Sequence, residues 1–221
     1  MIYLTGIPRS GIGIVADVLR IHGIDLGNVT EGTDVPENRA IRGDIIKPVQ
    51  KLLGVDPRGS NPFPSAGAIH DATDQHIAAY RRLIGSAVPG IGPQDPDELT
   101  PDGVICSESL ALLWPLFDKI DPKAVWVFVH RRRNEIVRSC LNTGSMTAYR
   151  NAAGWKVWHD RWAAHIEAAR NTVARVDVTP YTLIGRGDVT EMRSLIESMD
   201  LAWKADEVAD YIAPKIRREQ S

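Results

Sequence analysis

Two cysteines in 221 residues are too few for a disulfide framework, and no Cys/His spacing resembles a zinc site. Cys106 and Cys140 read as buried thiols. An excess of one charge is missing as well, since 26 Lys and Arg stand against 28 Asp and Glu. With a net charge of −2, no global basic field draws the chain to nucleic acid or anionic membranes, so any anion it binds is held locally. Apolar runs fall well short of the roughly 18 residues of a membrane span. The first strand is read from Ile2, so no signal peptide is expected. Internal repeats and low-complexity tracts are absent too. These absences predict a cytoplasmic protein with no membrane partner. What remains is ordinary for one well-buried domain over 1–221, with 43% hydrophobic and 24% charged residues.

Strand and helix patterns alternate along the chain. Ile2-Tyr3-Leu4-Thr5 reads as a buried strand, and 11–21 as a helix with Ile14, Val15, Val18, Leu19 and Ile21 inward. Residues 37–53 look helical, with Pro48 expected to kink or interrupt them. A helix is expected over 71–84, between Gly- and Pro-rich irregular stretches at 55–70 and 85–103. Strands follow at Val104–Cys106 and Ala124–Val129, with helices over 110–119 and 134–141. Trp155, Trp158, Trp162, Ile166, Ala169 and Val173 recur at spacings of three and four, which predicts one long helix packing on the sheet. One or two short strands are expected within 176–184, around Pro180, then helices over 188–199 and 205–213, the last stopping near Pro214. Such alternation predicts an α/β fold, a mostly parallel sheet flanked by helices in three layers.

The most informative segment follows the first strand. Gly6, Pro8, Arg9, Ser10 and Gly11 form a strand-to-helix turn that aims backbone N–H groups and a helix N-terminus at one point. A phosphate or sulfate is its natural occupant. The Gly6-x4-Gly11 spacing fits half of a nucleotide triphosphate loop, which needs Lys and Ser or Thr next. Ile12 and Gly13 stand there instead, and the cation comes earlier, at Arg9. The third strand ends in a second cationic turn, His130-Arg131-Arg132-Arg133, and the next helix brings Ser139. In α/β folds ligands gather at the C-terminal strand ends, so two such turns suit a ligand with two separated phosphate-like groups.

Here the chain resembles the sulfotransferases that use 3′-phosphoadenosine 5′-phosphosulfate (PAPS). The Gly-x-Pro-Arg-Ser-Gly loop looks like their 5′-phosphosulfate loop, and Arg131 with Ser139 eight positions later looks like their 3′-phosphate motif. Leu110-Ala111-Leu112-Leu113-Trp114-Pro115-Leu116 and Glu37-Asn38-Arg39-Ala40-Ile41 are similar to further segments of bacterial members. Ile12 and Gly13 replace two hydroxyl residues, and Cys106-Ser107-Glu108-Ser109 stands where many members have Lys-Asp-Pro-Arg.

The resemblance implies a P-loop-type fold, PAPS as donor and 3′,5′-bisphosphoadenosine (PAP) as product, with no metal. It implies Arg9 at the breaking bond, Ser10, Gly11 and the Ile12 and Gly13 amides around the 5′ end, and Arg131 with Ser139 on the 3′-phosphate. An acceptor hydroxyl or amine needs a general base. Glu37 is the first choice by resemblance, and Glu108, at the end of the second strand, is the second. Glu31 is less well placed, and His70 and His76 read as solvated. The acceptor is expected to be a small molecule or glycan, entering under a lid built from 55–70 and 85–103. A homo-oligomer stays compatible with the sequence. Two rival readings stay open: a nucleotide-binding module without catalysis, and a nucleotide or nucleic-acid phosphotransferase.

Overall fold

The computed structural model describes residues 1–30, 35–52 and 103–219. Four strands lie in it, β1 (Ile2–Gly6), β2 (Val104–Cys106), β3 (Val125–Val129) and β4 (Arg175–Val178). They pair in the order β2-β1-β3-β4, every neighbour parallel. Ile2 is in register with Val104 on one side and Val125 on the other, and Gly6 with Val129. Parallel pairing puts every strand's C-terminal end on one edge.

Alternation along these apolar strands feeds two cores. Tyr3, Ile105, Trp126 and Phe128 face one way, with Leu116, Phe117 and the three tryptophans of the long helix. Leu4, Cys106, Val127, Val129 and Val178 face the other, toward α1 (Ile12–Ile21). Helices therefore cover both faces of the sheet, as the alternating pattern predicts. Among the described residues no helix is long and apolar enough to cross a membrane.

Several boundaries differ from the sequence expectation. Residues Ile41–Ile46 wind as a π-helix before α2 (Lys47–Leu52). Pro48 has no N–H to give the carbonyl of Asp44, so it sits where the wider register gives way to the α register and does not break the segment. The helix expected from 110 begins as a 3₁₀ turn, Glu108–Ala111, capped by Ser107, and becomes α3 (Trp114–Ile120) with Pro115 in its first turn. The stretches 55–70 and 71–84, and 85–103 apart from Gly103, lie outside the described residues, as do Glu31, His70 and His76.

The second half of the chain is helical around β4. After α4 (Arg133–Asn142), Asn151 caps α5 (Ala152–Arg170), accepting the Gly154 N–H at 3.0 Å. Of the one or two short strands expected over 176–184, one forms, β4, and among the described residues none follows Pro180. That residue opens α6 (Pro180–Arg186), because its fixed φ and missing N–H suit the first helical turn. Then come α7 (Thr190–Glu197) and α8 (Ala205–Glu219). Pro214 does not end α8: it stands on the exposed face, where water replaces the lost hydrogen bond. His22 holds α8 against α1, its Nε2 accepting the Lys204 N–H at 3.1 Å while its ring stacks on Trp203.

The aromatic stack of α5 anchors one face. Trp155, Trp158 and Trp162 are fully buried and meet edge-to-face at 5.2 and 5.9 Å between ring centroids. Trp158→Ala is expected to cost about 3–5 kcal/mol, read from the urea midpoint. A loss under about 1 kcal/mol would show that this helix face is not core.

Candidate functional site

The turn after β1 is built by close approach. A Cβ on Gly6 would stand 2.6 Å from the Val129 carbonyl oxygen and 2.7 Å from Ser10 Oγ. Only glycine lets the turn pass so near β3. Ser10 N–H closes the turn on the Ile7 carbonyl at 2.9 Å. Arg9 and Gly11 both take positive φ, 73° and 99°. Gly11 caps α1 without a side chain, which leaves the first-turn N–H groups of Ile12 and Gly13 open to an external acceptor. Ser10 is 1% exposed and its Oγ has no hydrogen-bond partner. Pro8 lies in the same turn.

The turn after β3 meets this one directly. Arg131 Nη1 donates to the Arg9 carbonyl at 3.1 Å and to the Tyr181 hydroxyl at 2.8 Å. Its guanidinium carbon lies 3.5 Å from the Tyr181 ring centroid. Arg9 Nε donates to Ser139 Oγ at 3.0 Å. The two basic turns are thus one constellation. Arg9 reaches toward Ser139, a neighbour that sequence spacing alone did not give it.

Two clefts open from this constellation and share Arg9 and Tyr181 as a common wall. The first, about 300 Å³, runs along the head of α1 and includes Gly11, Gly13 and Glu108. The second, about 510 Å³, runs along α4 and includes Arg131, Arg138, Ser139 and Thr143. The first offers backbone amides at a helix N-terminus, and the second offers guanidinium and hydroxyl donors. Both donor sets fit a phosphorylated ligand. The bare glycine backbone fits an anion at the turn, whereas the buried Ser10 hydroxyl, packed toward Gly6, is not among the groups lining either cleft. Ile12 supplies only its N–H there, since its side chain is buried in the core at 1% exposure.

The two acids separate by position. Glu108 lines the first cleft with Arg9. Glu37 is held elsewhere: Ser107 Oγ donates to its Oε1, and Arg42 Nε lies 2.7 Å from its Oε2. It is not among the residues lining either cleft. Between these acids sits Cys106, whose thiol is pushed well above its ordinary pKa by burial and then by the Glu37 and Glu108 carboxylates. Burial likewise raises Cys140 to about 11, against the partial pull of Arg9. Among the described residues no group of three or more His, Cys, Asp or Glu gathers as a metal site.

Sequence reasoning missed Tyr181, Tyr211 and Asp17. Tyr181 follows a proline that reads as a strand signal, and Tyr211 and Asp17 lie on helix faces whose pairing needs the fold. No family model, curated protein or solved structure matches this chain.

Both thiols should be inert in the native protein. Ellman's reagent at pH 8 is expected to react at least about 100-fold more slowly than with the urea-unfolded chain. Fast native labelling would contradict their burial. A second expectation concerns Asp177, beside His130 at 2.6 Å and Arg170 at 3.0 Å. Burial alone would raise its pKa, but hydrogen bonds from Arg170 and His130 hold it below the ordinary value. Its stabilising contribution is therefore present above the ordinary carboxylate range and lost as pH falls through the lowered value. Asp177→Asn should flatten the acid side of the stability–pH curve. An unchanged acid limb would sink this assignment.

Proposed function

We propose that the protein is a PAPS-dependent sulfotransferase of P-loop type, moving a sulfuryl group to a hydroxyl or amine acceptor. The observation that carries this reading is the meeting of Arg9, Arg131 and Ser139 between two clefts that share a wall. A ligand with anions at both ends of one nucleoside would span it. In this reading the 5′ end lies on the turn, against the Gly11, Ile12 and Gly13 backbone. The 3′-phosphate lies in the second cleft, against Arg131 and Ser139.

The transfer is an in-line displacement. The acceptor oxygen or nitrogen forms a bond to sulfur, the bridging S–O bond breaks, and its electron pair leaves on the 5′-phosphate of PAP. Arg9 neutralises the charge that develops on the bridging oxygen, in the position of a preorganised donor. Glu108 takes the acceptor proton, being the carboxylate of the two that lines the cleft with Arg9. Glu37 is then a positioning residue, setting Ser107 at the end of β2. Backbone amides take the place of the family's two loop hydroxyls. Each hydrogen bond to a charged group contributes about 1.5–3 kcal/mol, so donor affinity is expected below that of relatives with both hydroxyls.

The buried Ile12 side chain also favours a second reading, a nucleotide-binding module that has lost transfer. Tight PAP binding without sulfation of a broad acceptor panel would select it. A phosphotransferase would instead need magnesium and consume ATP.

Thermal shift separates these readings, because a ligand bound only by the native state raises Tm. PAP is expected to stabilise more than ATP or AMP, with no magnesium added. Equal shifts from all three would remove the case for a 3′-phosphate pocket. Once an acceptor is found, Arg9→Ala is expected to lower kcat by about 100-fold or more. Turnover within a few-fold of wild type would overturn its role.

A further inference from the structure

The first cleft takes one of its walls from the far end of the chain. Lys215 on α8 lines it together with Arg9 and the Gly11–Gly13 turn. Its ammonium lies 4.4 Å from the centroid of the Tyr211 ring, one turn earlier on the same helix. The Tyr211 hydroxyl donates to Asp17 Oδ2 at 2.6 Å, and Asp17 belongs to α1. A chain of contacts thus runs from the helix that heads the anion turn, through an aromatic ring, to a cation at the cleft. Burial, and then the Asp17 carboxylate, push the Tyr211 phenol far above its ordinary pKa, so it stays a neutral donor.

This arrangement answers a deficit. Arg9 is shared between the two clefts with its Nε engaged by Ser139, and the two positions after Gly11 bring neither hydroxyl nor cation. An exposed lysine is strongly hydrated and samples many rotamers, whereas a ring beneath the ammonium narrows that range. Asp17 and Glu108 line this cleft as well, but the Asp17 carboxylate is engaged, one oxygen accepting Tyr211 and the other facing Arg20 at 3.8 Å. Lys215 lines the cleft at the head of α1 and is not among the residues lining the cleft of Arg131 and Ser139. Its charge therefore serves the 5′ side of the site.

We propose that Lys215 is the second cation of the first cleft, a binding residue for the ligand's 5′-terminal anion, positioned by Tyr211 and Asp17. That the anion belongs to PAPS rests on the function proposed above, whereas the anion grip itself does not.

Calorimetric titration of wild type, Lys215→Ala, Lys215→Arg and Tyr211→Phe with PAP, 3′-AMP and inorganic pyrophosphate tests this. Lys215→Ala is expected to weaken PAP and pyrophosphate about 10-fold or more, and 3′-AMP by less than about 2-fold. Lys215→Arg should recover most of the loss. Tyr211→Phe keeps the ring but cuts its tie to Asp17, so a smaller loss of the same selectivity is expected. It also serves as the test if the alanine variant fails to fold. Unchanged PAP and pyrophosphate binding in Lys215→Ala, or parallel losses for PAP and 3′-AMP, would overturn the proposal. Pyrophosphate binding that depends on Lys215 in a protein that ignores PAP would reject the donor and keep the lysine. Binding of neither ligand by wild type would reject both.

Discussion

The contact on which the site depends is the hydrogen bond from the Arg131 guanidinium to the Arg9 carbonyl. It ties together two turns that are far apart in sequence and that parallel pairing of β1 and β3 delivers to the same sheet edge. Gly6 makes the tie reachable, since any side chain there would push the first turn off the Val129 carbonyl. Tyr181, supplied by the start of α6, closes the joint from outside by accepting one arm of Arg131 and lying under its plane. Backbone geometry, more than net charge, therefore creates the local positive field that a chain of net charge −2 otherwise lacks.

Charge is also sorted across this edge. On the β3 side Arg9, Arg131 and Arg138 line one cleft, together with Glu135, whose Oε2 lies 3.4 Å from Arg131 Nε. Carboxylates crowd the β2 side, where Glu37 and Glu108 bracket the end of the strand and raise the Cys106 thiol. Between them runs the head of α1, whose partial positive charge belongs to the backbone and cannot be titrated away. An anion entering this edge meets attraction on one flank and a proton acceptor on the other.

Much of this was legible in the sequence for definite reasons. β1, β2 and β3 were readable because they are short, mostly apolar runs buried on both faces, whereas β4, Arg175-Val176-Asp177-Val178, is largely exposed and carries only an alternating signal. The α5 helix was readable because its three tryptophans mark one stripe. The two basic turns were readable from glycine, proline and arginine after β1 and from the arginine run after β3. What escaped was anything set by packing between distant elements. Of the one or two strands expected over 176–184 the first forms as β4, and the remainder is helical because a proline after Val-rich sequence marks a helix start as well as a strand edge. Pro214 misled in the same way, since its cost depends on which face it occupies. Glu37 drew attention by resemblance, yet Ser107 and Arg42 hold its carboxylate away from the clefts. The contact from Arg9 to Ser139 could not be seen before β1 and β3 were paired.

Arg9 itself occupies a left-handed backbone conformation that an L residue adopts at a cost of about 1–2 kcal/mol. Glycine would sit there more comfortably, as it does two residues later. The chain keeps a long cationic side chain at a position whose dihedral angles disfavour it. Arg9→Gly would relieve that backbone strain and at the same stroke remove the arm that spans from the first turn to Ser139.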